Sequence, residues 1–407
     1  MGYSDHFFKA LNISVEDRKS LSEFSKRSGI PVKKLKYYNE GNVVPTGKDL
    51  EKILSTANLS EVLLRLKMGR LDKDILAAIQ ENAESVLAEI DGFNPVVDSP
   101  EVDCTLEFET RLGKLYRGDC YSLLKSMESD SVDLIFSDPP FNLDKIYPSD
   151  MDDNIKVDKY IGWSQEWIKE CARVLKPGGA LFMWNLPKWN VALGSFVDGL
   201  LTFRNWIGVD IKYSLPIRNR LYPSHYSLMY YIKGEKPNSF HPDRLAMDVC
   251  PKCYGDLKDY GGYKDKMNPL GINLSDVWYD IPPVRHAKYK RRKGSNELSL
   301  KLLDRIIEMA SDEGDLVFDP FGGSGTTYMA AELKGRRWVG CELGPTDIIK
   351  ERFSLIEEER DILNGYRGRV NALFPEKTRS EREKRGLWTC ETFSKNEQSE
   401  LFDKNLK

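Results

Sequence analysis

A stretch of five residues, Ser-Asp-Pro-Pro-Phe at positions 137 to 141, combines an acid, two stiff residues and an aromatic ring. It follows the apolar run Leu134 to Phe136, whose composition indicates a buried strand. Each proline fixes φ and offers no backbone N–H, so the strand must give way to a stiff loop at Asp138. Such a loop either only ends the strand or holds a carboxylate and a ring still against a ligand.

A second stretch, Asp-Pro-Phe-Gly-Gly-Ser-Gly-Thr at 319 to 326, joins a predicted strand to a predicted helix. Its glycines let the backbone come within contact of a ligand, and the free amides at the helix start favour a carboxylate or another anionic group. No Gly-Lys-Ser/Thr closes the loop and the spacing is not that of a dinucleotide fingerprint, so neither of those phosphate sites is indicated. The alternative is a tight turn with no ligand.

The next predicted strand, Arg-Trp-Val-Gly-Cys-Glu-Leu, carries Glu342 close to its end. A carboxylate in that position can accept hydrogen bonds from the diol of a ribose. Beside a glycine loop that lacks a polyphosphate motif, it suggests a nucleoside ligand.

Both stretches belong to a region of alternating short apolar strands and amphipathic helices that begins near Lys114. This alternation predicts an α/β fold, a doubly wound and mostly parallel sheet with helices on both faces. In such sheets, ligands bind outside the carboxyl ends of the strands, so the loops at 138 and 319 can face one crevice.

Together, the acid-Pro-Pro-aromatic tetrapeptide and the Asp-Pro-Phe-x-Gly-x-Gly-Thr loop resemble the motifs of DNA amino-methyltransferases that use S-adenosylmethionine (AdoMet). The tetrapeptide precedes the AdoMet loop, and a non-periodic segment separates them, which is similar to the permuted β class. The resemblance covers roughly residues 112 to 374 and implies a Rossmann-like methyltransferase fold. It also implies site-specific methylation of double-stranded DNA, within a restriction-modification or related system.

The resemblance carries roles to individual residues of this sequence. Ser324 and Thr326 lie where such loops offer a hydroxyl or an amide to the methionine end, and Glu342 matches the acid on the ribose. Asp119 matches an acid near the adenine of the cofactor, although it can equally be a helix cap. The residues expected to bind AdoMet are Asp119, Asp319, Phe321, Gly323, Ser324, Gly325, Thr326 and Glu342.

Amino methylation needs a better nucleophile than the free base offers, because the lone pair of an exocyclic amine is delocalised into the ring. We expect the Asp138 carboxylate and the Pro139 carbonyl to accept both N–H bonds, which favours a pyramidal nitrogen aimed at the methyl group. Phe141 would stack on a base flipped out of the duplex, with Pro139 and Pro140 keeping the loop rigid. Carbon-5 cytosine methylation needs a cysteine nucleophile, typically after proline, and the sequence contains no Pro-Cys dipeptide.

The identity of the base depends on which residue precedes the prolines. In the family, Asp there mostly accompanies adenine N6 and Ser accompanies cytosine N4; here it is Asp138, which favours adenine. Cytosine N4 is the alternative. A DNA-binding regulator with a degenerate catalytic region is a further alternative, and the intact motifs argue against it.

The chain outside the two motifs predicts several further segments. Residues 20 to 41 predict two short helices around a Gly-Ile-Pro break, similar to the helix-turn-helix of phage repressors, with a second helix at about 32 to 39. DNA contact and helical packing are both open for it. The predicted segments are a helical domain at 1–95, a linker at 96–111, catalytic parts at 112–232 and 297–374, a target-recognition insert at 233–296, and a charged, disordered tail at 375–407.

Basic residues around and inside the insert predict DNA contacts. Residues 285 to 293 contain six basic residues in nine, and the loop before the strand near 225 lies close to the flipped base by resemblance. A solvated charge run, or a core role for the histidine, is the alternative. The candidates are Arg218, Arg220, His225, Arg285, Lys288, Lys290, Arg291 and Arg292.

Composition excludes few classes. The net charge of −3 does not argue against a nucleic-acid partner, since charge is clustered locally. No apolar stretch has membrane length and no leader is evident, so we expect a cytoplasmic protein, associated with the nucleoid if it is bacterial.

Of the seven cysteines, Cys250 and Cys253 form a Cys-x-x-Cys pair that favours free thiols over a zinc site, because four ligands are not in view. A restriction endonuclease for the same site and a homodimer are the other expected partners.

Overall fold

A computed structural model describes residues 5–14, 18–90, 104–142, 155–210, 218–219, 221–245, 272–282, 297–368 and 376–386 of the chain. These residues divide into two compact units. The helical unit comprises the described residues before 91, together with Asn142 and 155–164. The sheet unit comprises 104–141 and the described residues from 165 onward.

Short amphipathic helices build the helical unit. Two of them begin at side-chain caps: Ser60 accepts the N–H of Leu63, and Asp72 accepts that of Ile75. Their apolar faces meet in one core that includes Phe7, Leu35 and Leu64. The helices are α1 (His6–Ala10), α2 (Arg18–Ser28), α3 (Val32–Glu40), α4 (Gly47–Ala57), α5 (Glu61–Lys67), α6 (Lys73–Glu81) and α7 (Ala83–Glu89).

A nine-stranded sheet organises the sheet unit. Its strands are β1 (Cys104–Glu109), β2 (Gly113–Gly118), β3 (Val132–Ser137), β4 (Leu175–Asn185), β5 (Thr202–Asp210), β6 (His225–Ile232), β9 (Val277–Trp278), β10 (Leu316–Asp319) and β11 (Arg337–Glu342), while β7 (Arg244–Leu245) and β8 (Ile272–Asn273) form a separate pair. The strand order in the sheet is β1-β2-β11-β10-β3-β4-β6-β5-β9. Neighbours from β2 to β4 run parallel, as do β5 and β9, while the pairs β1–β2, β4–β6 and β6–β5 are antiparallel.

Helices accompany this sheet, as the alternating pattern predicts, so the α/β fold is confirmed. Leu300–Ala310 is almost wholly buried, because its apolar residues pack with those of the sheet in the main core. The remaining helices are α8 (Cys120–Ser126), α9 (Val157–Val174), α10 (Pro187–Asp198), α11 (Leu300–Ala310), α12 (Thr326–Leu333), α13 (Asp347–Ser354), α14 (Ile356–Arg367) and α15 (Glu376–Lys384). In the described part of the chain, no helix combines the length and the apolar character needed to cross a membrane.

The start of the charged tail differs from the sequence prediction. We expected disorder at 375–407, yet Glu376–Lys384 forms α15. Its charges alternate at helical spacing, and Arg379 pairs with Glu383 four residues later. Low hydrophobicity alone therefore misjudges this segment, since helix-compatible charge pairs support it locally.

Candidate active site

Two strand ends that are far apart in sequence are neighbours in the sheet. β10 pairs in parallel with β3, with Phe318 opposite Ile135, and β11 pairs in parallel with β10. Asp138 follows β3 directly, whereas Asp319 and Glu342 are the last residues of β10 and β11. Because parallel strands present their carboxyl ends at one edge, the three carboxylates converge there.

Asp319 is the most enclosed of the three acids, with 3% of its surface exposed. Its carboxylate accepts hydrogen bonds from the backbone N–H of Phe321, at 2.9 Å, and from the hydroxyl of Thr327. Burial raises the pKa of Asp319 well above its ordinary value, and the charges of Asp138 and Glu342 raise it further. A cationic ligand at this edge would relieve that repulsion.

The side chain of Glu342 holds the glycine loop through a backbone N–H of that loop. Its carboxylate accepts the N–H of Gly323 at 2.7 Å and that of Gly344 at 2.8 Å. Burial raises the pKa of Glu342, and these two hydrogen bonds offset part of that rise. A carboxylate has about four acceptor positions, so these bonds leave acceptor capacity for a ribose diol.

Glycine is required at two positions of the loop. Gly325 has φ of +71° and directly precedes α12, and a Cβ there would lie 2.8 Å from Cγ2 of Ile349. A Cβ on Gly322 would lie 2.8 Å from the hydroxyl of Tyr328. The loop therefore needs both the backbone freedom and the small volume of glycine.

A buried arginine that was not predicted from the sequence donates hydrogen bonds to the same loop. Arg352 of α13 is 1% exposed; its guanidinium donates to Thr326 Oγ1 at 2.6 Å and to the backbone carbonyl of Ser324 at 3.2 Å. Its other nitrogen pairs with Glu359 at 3.2 Å. The sequence signal that could have found it is the helical spacing of Ile349, Arg352 and Phe353. Arg352 falls on the apolar side of an amphipathic helix, so its charge lies in the core.

Two residues expected at the cofactor contact this arginine. Ser324 and Thr326 are buried, and their hydroxyls face each other and Arg352. These hydroxyl contacts fix the shape of the loop. Contact of either residue, through a hydroxyl or an amide, with the methionine end of AdoMet stays a prediction.

The loop after β3 is held at its far end. Pro139 is buried and Asp138 is partly exposed, whereas Ser137 is fully buried and its hydroxyl donates to the carbonyl of Phe182. The indole N–H of Trp189 donates to the Phe141 carbonyl at 2.7 Å. Asp138 is thus the polar side chain of the tetrapeptide region that remains accessible.

Phe141 lies in an aromatic cluster. Its ring is 7% exposed and its centroid lies 6.0 Å from that of Tyr226, which in turn lies 4.7 Å from Trp184. The ring therefore forms part of a wall beside Asp138. Stacking of this ring on a base stays a prediction.

Asp119 caps a helix, which was the alternative to a place near adenine. Its carboxylate accepts the N–H of Ser122 at 3.0 Å at the start of α8. It directly follows β2, and β2 pairs with β11, which carries Glu342. Contact between Asp119 and a cofactor stays a prediction.

The predicted DNA contacts are described only in part. Arg218 and His225 are exposed, and Leu221 between them is 95% exposed. Arg220, Arg285, Lys288, Lys290, Arg291 and Arg292 lie outside the described residues, as do Cys250 and Cys253.

Partly buried ion pairs tie the described ends of the segment predicted as a target-recognition insert to helices of the sheet unit. Arg305 of α11 is 1% exposed and donates to both carboxylate oxygens of Asp280, at 2.8 and 2.6 Å. Arg367 of α14 donates to Asp243 at 2.7 Å. The bidentate Arg305–Asp280 pair fixes orientation, so the chain around Asp280 has a defined position on α11.

A family model described as DNA methylase, covering the N6 and N4 methyltransferases, matches residues 132–351. The chain belongs to this DNA methylase family. The chain is 48% identical to the type II methyltransferase M.BamHI of Bacillus amyloliquefaciens, over 90% of this chain and 88% of the relative. It is 31% identical to the DNA adenine methyltransferase YhdJ of Escherichia coli, over 58% of this chain and 81% of the relative.

Solved structures of methyltransferases also match this chain. One is a complex of M1.HpyAVI with SAM, at a TM-score of 0.40 and 20% identity, over 59% of this chain and 100% of that chain. The family uses AdoMet as its methyl donor.

Proposed function

We propose that the protein is a site-specific DNA methyltransferase that transfers a methyl group from AdoMet to the exocyclic N6 amine of an adenine flipped out of double-stranded DNA. Membership of the DNA methylase family supports the reaction class. Similarity to type II methyltransferases, M.BamHI among them, supports a place in a restriction-modification system.

One observation carries the proposal: the acceptor loop and the glycine loop follow directly paired strands. Asp138 lies close enough to Asp319 for its charge to raise the pKa of Asp319. A methyl donor held at the glycine loop and a base held at Asp138 would therefore meet within one crevice. Proximity of this kind lowers the barrier by fixing the two reactants in a productive geometry.

The residues at the sheet edge fit AdoMet by their chemistry. AdoMet, when bound, supplies the methyl group on a positively charged sulfonium. Three converging carboxylates favour a cation, and Glu342 keeps acceptor positions for a ribose diol. Backbone amides of the loop are available to a carboxylate of the ligand.

Asp138 and Pro139 would act on the target amine. The Asp138 carboxylate and the Pro139 carbonyl would accept its two N–H bonds, which draws the lone pair out of conjugation and towards the methyl carbon. Transfer of the methyl group to the nitrogen would leave the amine cationic, and its surplus proton would pass to Asp138 or to water. No covalent enzyme intermediate is required.

The choice of base is the finer part of the proposal. The buried Ser137 hydroxyl is engaged with Phe182, which supports Asp138 as the acceptor and, by the family tendency, adenine. The name of the relative YhdJ is consistent with adenine. Cytosine N4 is the second candidate, because its amine has the same geometry and the family includes both activities.

Plasmid methylation by the purified protein tests the proposal. Nucleoside mass spectrometry of the product identifies N6-methyladenine or N4-methylcytosine, and modification-sensitive sequencing identifies the site. Asp138→Ala should abolish transfer of tritiated methyl groups, whereas the matched variant of the exposed acid, Asp198→Ala, should retain it. Transfer by Asp138→Ala would refute the mechanism, and absence of any methylated base would favour a DNA-binding regulator.

A restriction partner has its own test. DNA methylated by this protein should resist an endonuclease that cleaves the same sequence, and unmethylated DNA should be cut. Cleavage of both would argue against a protective role.

A further inference from the structure

The helical unit presents a basic and aromatic face that methyl transfer does not use. Lys33, Lys36 and Tyr37 lie on α3 at spacing i, i+3 and i+4, so they share one side of the helix. All three are exposed, Tyr37 by 58%. Leu35 and Tyr38, on the other side of α3, are buried in the core of the unit.

The two lysines have no intramolecular role in the described part of the chain. There, neither Lys33 nor Lys36 takes part in a hydrogen bond or an ion pair. The third lysine of the helix, Lys34, pairs with Asp49, which also accepts the hydroxyl of Tyr38. This pairing neutralises Asp49 and leaves Lys33 and Lys36 as two cations on a face that also carries the exposed Glu40 at its end.

A tight turn fixes the direction of this helix. Gly29 has φ of +69° between α2 and α3, and Ile30 behind it is 1% exposed. The hydroxyl of Ser25 donates to the carbonyl of Ile30 at 2.6 Å. Asn39 is buried near the end of α3. Its side-chain oxygen Oδ1 accepts the backbone N–H of Phe8 at 2.9 Å. A helix anchored at both ends presents its outer face without a large ordering cost on binding.

The exposed lysine and tyrosine side chains of α3 indicate the kind of ligand that this face would bind. Two free ammonium groups on one turn require an anionic partner, and an exposed tyrosine ring offers an apolar body with a hydroxyl that can bond a phosphate oxygen. A helix with one outward face fits the major groove of B-DNA, which admits a whole helix. The chain already belongs to a family that acts on DNA, so this ligand is available to it.

We propose that α2 and α3 form a second DNA-binding element, in which the face Lys33, Lys36 and Tyr37 enters the major groove of double-stranded DNA. Lys33 and Lys36 contact phosphates or guanine edges, and Tyr37 contacts the backbone. This element adds affinity for DNA that the catalytic loops do not supply.

Charge reversal tests the proposal in the full chain. Lys33→Glu with Lys36→Glu is compared with Lys67→Glu and Lys73→Glu, two exposed lysines on α5 and α6 that give the same change of net charge. Binding to a mixed-sequence duplex of about 60 base pairs is followed by fluorescence anisotropy at several salt concentrations, without AdoMet.

The first pair should weaken binding by about tenfold or more and lower the slope of log K against log salt by about 1.8, which corresponds to two lost phosphate contacts. The control pair should change the affinity by less than about threefold and leave the slope unchanged. Equal effects of the two pairs would overturn the proposal. Circular dichroism checks that both variants are folded.

Crosslinking distinguishes DNA from a protein partner. A photoreactive residue at Tyr37 should crosslink to the duplex, and the same residue at Leu87, which is 70% exposed on α7, should not. Crosslinks from position 37 to a second copy of the chain, with a change in sedimentation on charge reversal, would overturn DNA contact in favour of a dimer interface. These readings need no methyl transfer, so they hold whether or not the proposed reaction is correct.

Discussion

The indole N–H of Trp189 donates a hydrogen bond of 2.7 Å to the backbone carbonyl oxygen of Phe141. Trp189 is buried near the start of α10, so a rigid helix holds the last residue of the Asp-Pro-Pro-Phe loop. The prolines stiffen the loop from within, and this bond ties its end to the core. Asp138 and the Pro139 carbonyl therefore keep a fixed position relative to the sheet.

Trp189→Phe should slow methyl transfer, because it keeps a ring in the core but removes the N–H that holds Phe141. We expect kcat to fall by about tenfold with little change in KM for AdoMet, since misplaced reacting groups cost mainly the chemical step. Trp206→Phe, on the half-buried Trp206 of β5, is the matched control and should leave kcat unchanged. A normal kcat for Trp189→Phe would show that the prolines alone position the loop.

Arg352→Met should destabilise the sheet unit, because it removes the guanidinium that pairs with the buried Glu359. Removing one member of a buried ion pair costs about 3–5 kcal/mol in the free energy of unfolding. The double variant Arg352→Met with Glu359→Met should recover part of that loss, since the Glu359 charge is removed while Glu297, 3.8 Å from the guanidinium, is unchanged. Urea unfolding of the two single variants and the double variant measures the coupling. Additive losses would contradict the ion-pair account.

Gly325→Ala should weaken AdoMet binding and stability more than the same change at Gly314. Both glycines have positive φ, +71° and +86°, but a Cβ meets Ile349 only at Gly325 and finds open space at Gly314. Gly314→Ala therefore reports the backbone cost alone, about 1–2 kcal/mol. Isothermal titration with AdoMet and thermal unfolding measure both effects. Ile349→Ala should partly rescue Gly325→Ala, and no rescue would rule out the steric explanation.

The stability of the ligand-free protein should fall with rising pH because of Asp319. Its pKa is raised by burial, so the folded state keeps a proton above pH 3.8, where the unfolded chain has lost it. The contribution is complete below the unfolded pKa and is lost as pH rises through the folded pKa. Asp319→Asn, which cannot ionise, should flatten this dependence in urea unfolding as the pH rises above 3.8. Parallel profiles for the two proteins would assign the dependence to other groups.

Sequence could predict the fold and the meeting of the two loops because that chemistry is local. The prolines at 139 and 140, the glycines at 322–325 and the alternating pattern each have a meaning within a few residues. The contacts of Arg352 and Trp189 were not predictable, because each joins residues 26 to 48 positions apart through packing. For the same reason, the sequence did not predict that the hydroxyls of Ser324 and Thr326 contact Arg352.

The convergence of Asp138, Asp319 and Glu342 also bears on how turnover ends. Loss of the methyl group would turn the sulfonium into a neutral thioether, so its attraction to the negative charge at this sheet edge would be lost together with the methyl group. We expect the spent cofactor to dissociate more readily than shape alone would allow. Chemistry at the base would then loosen the site for the next molecule of donor.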